Sequence, residues 1–123
     1  MTRETAIYQL LKDLGVPATV KGYQGLKVAI DLVLRESDLT YSITKGLYPK
    51  TAAVLQDTPS RVERAIRHAV ELAFDRGDLT EIYRVLGNTV SFAKSKSTNG
   101  EFIVGCAEYL RHRYPIFEEE VRS

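Results

Sequence analysis

The stretch from Thr58 to Gly77, TPSRVERAIRHAVELAFDRG, constrains the fold more than any other part of the chain. Its apolar residues Val62, Ala65, Ile66, Ala69 and Ala73 recur at i, i+3, i+4, i+7 and i+11. That spacing lines one face of an α-helix and predicts that the face is buried. At about 3.6 residues per turn, Ser60, Arg64, Arg67 and Glu71 fall together on the opposite side, flanked by Arg61, Glu63 and His68. The exposed face carries three arginines and a histidine, mostly in its first two turns. A guanidinium is a planar fork of donors that suits phosphates and guanine edges. The plainer account is solubility: Glu63–Arg67 and Arg67–Glu71 are i,i+4 pairs that any solvated helix can carry.

Two starts fit this helix. Thr58 caps it with Pro59 at the first helical position, or Ser60 caps it and Glu63 answers in a capping box. Gly77 is expected to end it as a left-handed cap. A shorter helix, Pro49 to Gln56, precedes it across a tight Asp57–Thr58 connection. Helix, short turn, and long helix with a basic leading face together form the helix-turn-helix pattern.

The 123-residue length suits one domain with a sizeable core. Seventeen Lys and Arg against sixteen Asp and Glu leave no mean field to attract nucleic acid, so any DNA-binding surface must come from local clustering. No apolar run is long enough to span a membrane, and the N-terminus shows no signal-peptide pattern. The single cysteine, Cys106, rules out an internal disulfide and suits a reducing compartment. A cytoplasmic protein is expected.

The remaining segments read as helices. Residues 3–14 bury Ile7, Leu10, Leu11 and Leu14, and Gly15 and Pro17 stop them. Lys21-Gly22-Tyr23 leads into a second helix with Leu26, Ala29, Ile30 and Val33 inward. Residues 40–47 form a short helix holding Ile43 and Leu47, which Pro49 either kinks or follows as a new start. Ala52, Ala53 and Leu55 are expected beneath the long helix. Asp78 caps a helix burying Ile82, Val85 and Leu86, closed by Gly87. Residues 88–97 form a loop containing Lys94 and Lys96. Thr98-x-x-Glu101 opens a last helix with Phe102, Ile103, Cys106 and Leu110 inward, ending near Pro115. Glu118 to Ser123 is an acidic, frayed tail. Capped helices joined by short connections imply an all-α fold, a compact bundle of about six helices around a central helix-turn-helix.

Catalytic and metal chemistry find no foothold. His68 and His112 are far apart and lack ligand-spaced partners. There is no glycine-rich phosphate loop after a strand and no nucleophile elbow. Neither an enzyme nor a bound metal or cofactor is expected.

Ser60-Arg-Val-Glu-Arg-Ala-Ile-Arg-His-Ala69 resembles the recognition helix of the effector domain of the master sporulation response regulator of spore-forming Firmicutes. Gly15-Val-Pro17, Lys21-Gly-Tyr23, Ser42-Ile-Thr-Lys45, Leu47-Tyr-Pro49, Arg76-Gly77 and Thr98-Asn99 lie in the order and spacing of that domain. The resemblance runs from about residue 5 to about residue 112. It implies six helices, binding to double-stranded DNA at TGTCGAA-like boxes, and activation or repression of transcription. It further implies a sigma factor of RNA polymerase as partner, and homodimers or tandem copies on DNA. It assigns base contacts to Arg61, Glu63 and Arg64, and backbone contacts to Ser60, Arg67, His68, Lys94 and Lys96.

Some residues depart from the family pattern. Pro59 stands where the family has alanine, Ser97 stands where it has proline, and Pro115–Ser123 has no counterpart. Family members carry a phosphoacceptor receiver domain ahead of this region, which is missing here, so 1–123 reads as a single effector domain, excised or stand-alone. The competing reading is a protein-interaction module on the same fold that has lost DNA binding and regulates through a partner. Arg61, Glu63, Arg64, Lys94 and Lys96 favour the first reading.

Overall fold

Among the described residues six α-helices form where the apolar periodicity predicts them. In the computed structural model, which describes residues 1–87, 98–115 and 117, they are α1 (Arg3–Asp13), α2 (Lys21–Arg35), α3 (Tyr48–Leu55), α4 (Pro59–Arg76), α5 (Leu79–Leu86) and α6 (Asn99–Arg113). No strand occurs among the described residues. Residues 88–97, expected as a loop holding Lys94 and Lys96, and the acidic tail from Glu118 lie outside them.

Local chemistry sets the helix starts. The Thr2 hydroxyl accepts from the Thr5 N–H at the head of α1. Asp78 accepts from the backbone of Thr80 and Glu81 at the head of α5. At α6 the capping box is complete: Thr98 Oγ1 accepts from the Glu101 N–H at 3.1 Å, and Glu101 accepts from the Thr98 N–H at 3.0 Å. Each device satisfies N–H groups that have no partner inside the helix.

The hub of the core is α2, which packs on α1, α3, α4 and α6. Its face of Leu26, Ala29, Ile30 and Val33 is fully buried. The approach of α4 is possible only because α2 presents Gly22 and Gly25. A Cβ on Gly22 would stand 2.0 Å from the Ala65 carbonyl oxygen, and one on Gly25 would stand 2.9 Å from Ile66. Against this seam α4 lays Val62, Ile66, Ala69 and Ala73, joined by Val70 and Phe74. Ala65 is only half-buried. Phe74 meets Phe102 of α6 edge to face at 6.4 Å between ring centroids. Cys106 is inaccessible, and burial pushes its thiol pKa up, as expected of an inert core thiol. Phe117, beyond the resemblance, is also buried, with its ring 5.1 Å from that of Tyr114.

Several expectations are corrected. The single short helix expected over residues 40–47 is two tighter and wider turns, a 3-10 turn at Ser37–Tyr41 and a π turn at Ile43–Leu47. Ser42 separates them with a non-helical backbone, and Leu39 anchors the first in the core. Pro49 does not kink this segment. It sits in the first turn of α3, where its missing N–H costs nothing. Ala53 is exposed, while Ala52 is buried and Leu55 packs at the core margin. The eight-residue helix buries its other face through Tyr48, Thr51 and Ala52. Gly77 is not left-handed: its φ is −82° and its ψ 175°. It is glycine for space, because a Cβ there would lie 2.5 Å from both the Ala73 and Leu14 carbonyl oxygens.

Candidate nucleic-acid interface

The junction of α3 and α4 is built by backbone chemistry. Gln56 adopts the left-handed conformation, with φ 54° and ψ 48°. The N–H of Asp57 donates to the Ala52 carbonyl at 2.9 Å, and that of Gln56 to Ala53 at 3.4 Å. Together these form a Schellman closure, which stops α3 and turns the chain. Thr58 then caps α4, its hydroxyl accepting from the Arg61 N–H at 3.3 Å, with Pro59 as the first helical residue. Of the two starts open from sequence, the one beginning at Thr58 is realised. Glu63 is thereby freed from any capping duty.

Asp57 pins the turn to α2. Its carboxylate accepts from the Thr58 N–H at 2.8 Å and lies 3.3 Å from Lys21 Nζ and 3.9 Å from Arg61 Nη1. The Thr58 hydrogen bond, supported by Lys21 and Arg61, holds its pKa below the usual carboxylate value.

The outward face of α4 divides in two. Arg61, Arg64 and His68 are exposed on one flank. Among the described residues Arg64 has neither an ion-pair nor a hydrogen-bond partner, so its guanidinium is available to a ligand. Ser60, Glu63, Arg67 and Glu71 form the other flank and line an open groove of about 840 Å³. Its remaining walls come from Ile43, Thr44 and Tyr48 before the turn and from Thr98, Asn99 and Gly100 at the head of α6.

Within the groove the Glu63 carboxylate is held. Arg67 Nη2 donates to its Oε1, and Asn99 Nδ2 lies 3.3 Å from the same oxygen. Asn99 Nδ2 also reaches the Glu63 carbonyl at 3.5 Å. Tyr48 is buried beneath this cluster, and burial raises its phenol pKa. Thus Glu63 and Arg67, read from sequence as a base contact and a backbone contact, are partners of each other. Arg61 and Arg64 stand apart from them. Lys94 and Lys96 lie outside the described residues, so their place relative to this face is not defined. Sequence reasoning gave Asn99 and Tyr48 no role. Asn99 meets Glu63 across 36 positions of chain, and no local pattern signals such a contact.

The model of the family described as sporulation initiation factor Spo0A, C terminal, matches residues 7–110. The chain belongs to the Spo0A C-terminal family. It is therefore a sporulation response-regulator effector domain: a DNA-binding transcriptional domain, not an enzyme. The helix-turn-helix expected of this fold corresponds to α3 and α4, with α4 as the candidate recognition helix. Among the described residues no cluster of His, Cys, Asp or Glu is placed to hold a metal ion, and no helix is long and apolar enough to cross a membrane.

Proposed function

We propose that this Spo0A-family domain binds TGTCGAA-like boxes and activates or represses transcription from them in the cytoplasm, with activation through a sigma factor of RNA polymerase. Arg61, Glu63 and Arg64 contact bases. Ser60, Arg67, His68, Lys94 and Lys96 contact the sugar-phosphate backbone and hold register. Tandem boxes carry adjacent copies of the domain.

The observation that carries this reading is the exposed Arg64, without a partner among the described residues, on the leading face of a helix that follows a capped, tightly closed turn. An arginine so placed can donate two bonds to guanine O6 and N7. Glu63, one residue earlier, can accept from a cytosine amino group, so the two residues together suit a CG step. Arg67 contributes less free charge than a lone arginine because its Nη2 is paired with Glu63.

A gel-shift titration against a TGTCGAA duplex and a scrambled duplex of equal composition tests the proposal. Specific protein–DNA complexes are typically about 10³-fold or more tighter than non-specific ones, so a clear separation of the two curves is expected. Superimposed curves, or no shift with either duplex, would favour the partner-binding module instead.

A further inference from the structure

Glu63 enters the recognition face with one carboxylate oxygen already taken. Oε1 receives both Arg67 and Asn99, whereas among the described residues no donor reaches Oε2. A glutamate side chain on a solvated helix has three free torsions and samples many positions. Here two donors from different helices hold Oε1 in place, and the side chain is largely shielded, 28% exposed. Arg67 alone could not do this, since it rides on the same helix and is itself mostly exposed. Asn99 supplies the outside reference. It is the first residue of α6, whose start is locked by the Thr98–Glu101 capping box. Its amide also touches the Glu63 carbonyl, so it fixes backbone and side chain together.

We propose that Asn99 is a positioning residue for base recognition: it holds Glu63 Oε1 so that Oε2 is presented, pre-oriented, to a cytosine amino group. Asn99 itself contacts no base. This inference rests on the reading of Glu63 as a base contact. Pre-orientation matters because a side chain ordered before binding loses less conformational freedom when the contact forms. Discrimination at the cytosine then depends on a residue of α6 that lies 36 positions away in the chain.

The test compares the 123-residue chain and its variants on two duplexes, TGTCGAA and TGTTAAA, which differ only at the CG step. Glu63→Ala measures the full contribution of the glutamate, expected at about 5- to 150-fold of discrimination. Asn99→Ala should remove about tenfold of it, the low end for a hydrogen bond to a charged group. Affinity for TGTTAAA should stay unchanged. In the Glu63→Ala background the Asn99 change should have no further effect on the ratio. Asn99→Asp keeps the shape and suits a helix start, but sets carboxylate against carboxylate. It should fold normally and lose at least as much discrimination as Asn99→Ala.

If Glu63→Ala lowers discrimination while both Asn99 variants keep it, the positioning role is wrong and the base contact stands. If Glu63→Ala itself leaves the ratio intact, both ideas fall. Equal weakening on the two duplexes by the Asn99 variants would make Asn99 a phosphate contact or a purely structural residue and would also overturn the proposal.

Discussion

Arg64 differs from every other cation of the recognition face in how little holds it. Arg61 lies within 3.9 Å of Asp57 and Arg67 is paired with Glu63, whereas Arg64 is unpartnered among the described residues. Removing a solvated arginine of this kind should change stability by no more than about 0.5 kcal/mol. Arg64→Ala is therefore expected to keep its melting temperature and helicity. On a TGTCGAA duplex it should lose about 1–3 kcal/mol of discrimination against the wrong base at the guanine it reads. Its loss on scrambled DNA should be smaller and reflect charge alone. Equal losses in titrations of both duplexes would demote it to a phosphate contact.

At the scale of elements, the helix-turn-helix is held by one carboxylate and one glycine seam. The folded-state pKa of Asp57 is depressed, chiefly by the Thr58 N–H and then by Lys21 and Arg61. A depressed carboxylate stabilises the fold at pH above its unfolded value, about 3.9, and that stabilisation is lost as pH falls through the lower folded value. Asp57→Asn should accordingly melt earlier than the parent at neutral pH. The gap should close progressively as acid protonates the parent, which melting curves between neutral and strongly acidic pH will show. The glycine seam makes a sharper demand. Gly22→Ala improves helix propensity by about 1 kcal/mol, yet the new methyl would sit 2.0 Å from a backbone oxygen that cannot swing aside. Over-packing of about 1–3 kcal/mol or more should win, so chemical denaturation is expected to show net destabilisation. DNA affinity should fall as well, because α4 is displaced from α2.

For the whole molecule, we place the proposed contact between adjacent copies on α5 and α6. Arg84 of α5 pairs with Glu81, donates to Tyr109 of α6 at 3.3 Å, and lies 5.4 Å from the centre of that ring. This brace joins α5 to α6, and Leu79 at its edge is exposed. A monomer in solution that binds tandem boxes cooperatively is the expected behaviour. Sedimentation without DNA, and titration of single against tandem boxes, will check it. Equal affinity per site on the two would argue against contact between copies.

Much of the molecule was legible in its residue order because helices declare themselves locally. The 3.6-residue repeat marked the inward faces of α1, α2, α4, α5 and α6, and Thr98-x-x-Glu101 marked a cap, since partners lie within one turn of each other. The ten-residue recognition-helix signature likewise carried the family. Contacts between distant segments left no such trace. Whether Thr58 or Ser60 capped α4 depended on where the Schellman turn at Gln56 delivered the chain. Gly22 and Gly77 are glycine because another backbone passes within van der Waals distance. The recognition face split into a free Arg64 and a tethered Glu63 because α6 sets Asn99 beside one flank of α4 and not the other. Periodicity places side chains on a face, but only the packing of three helices decides which of them remain free to meet DNA.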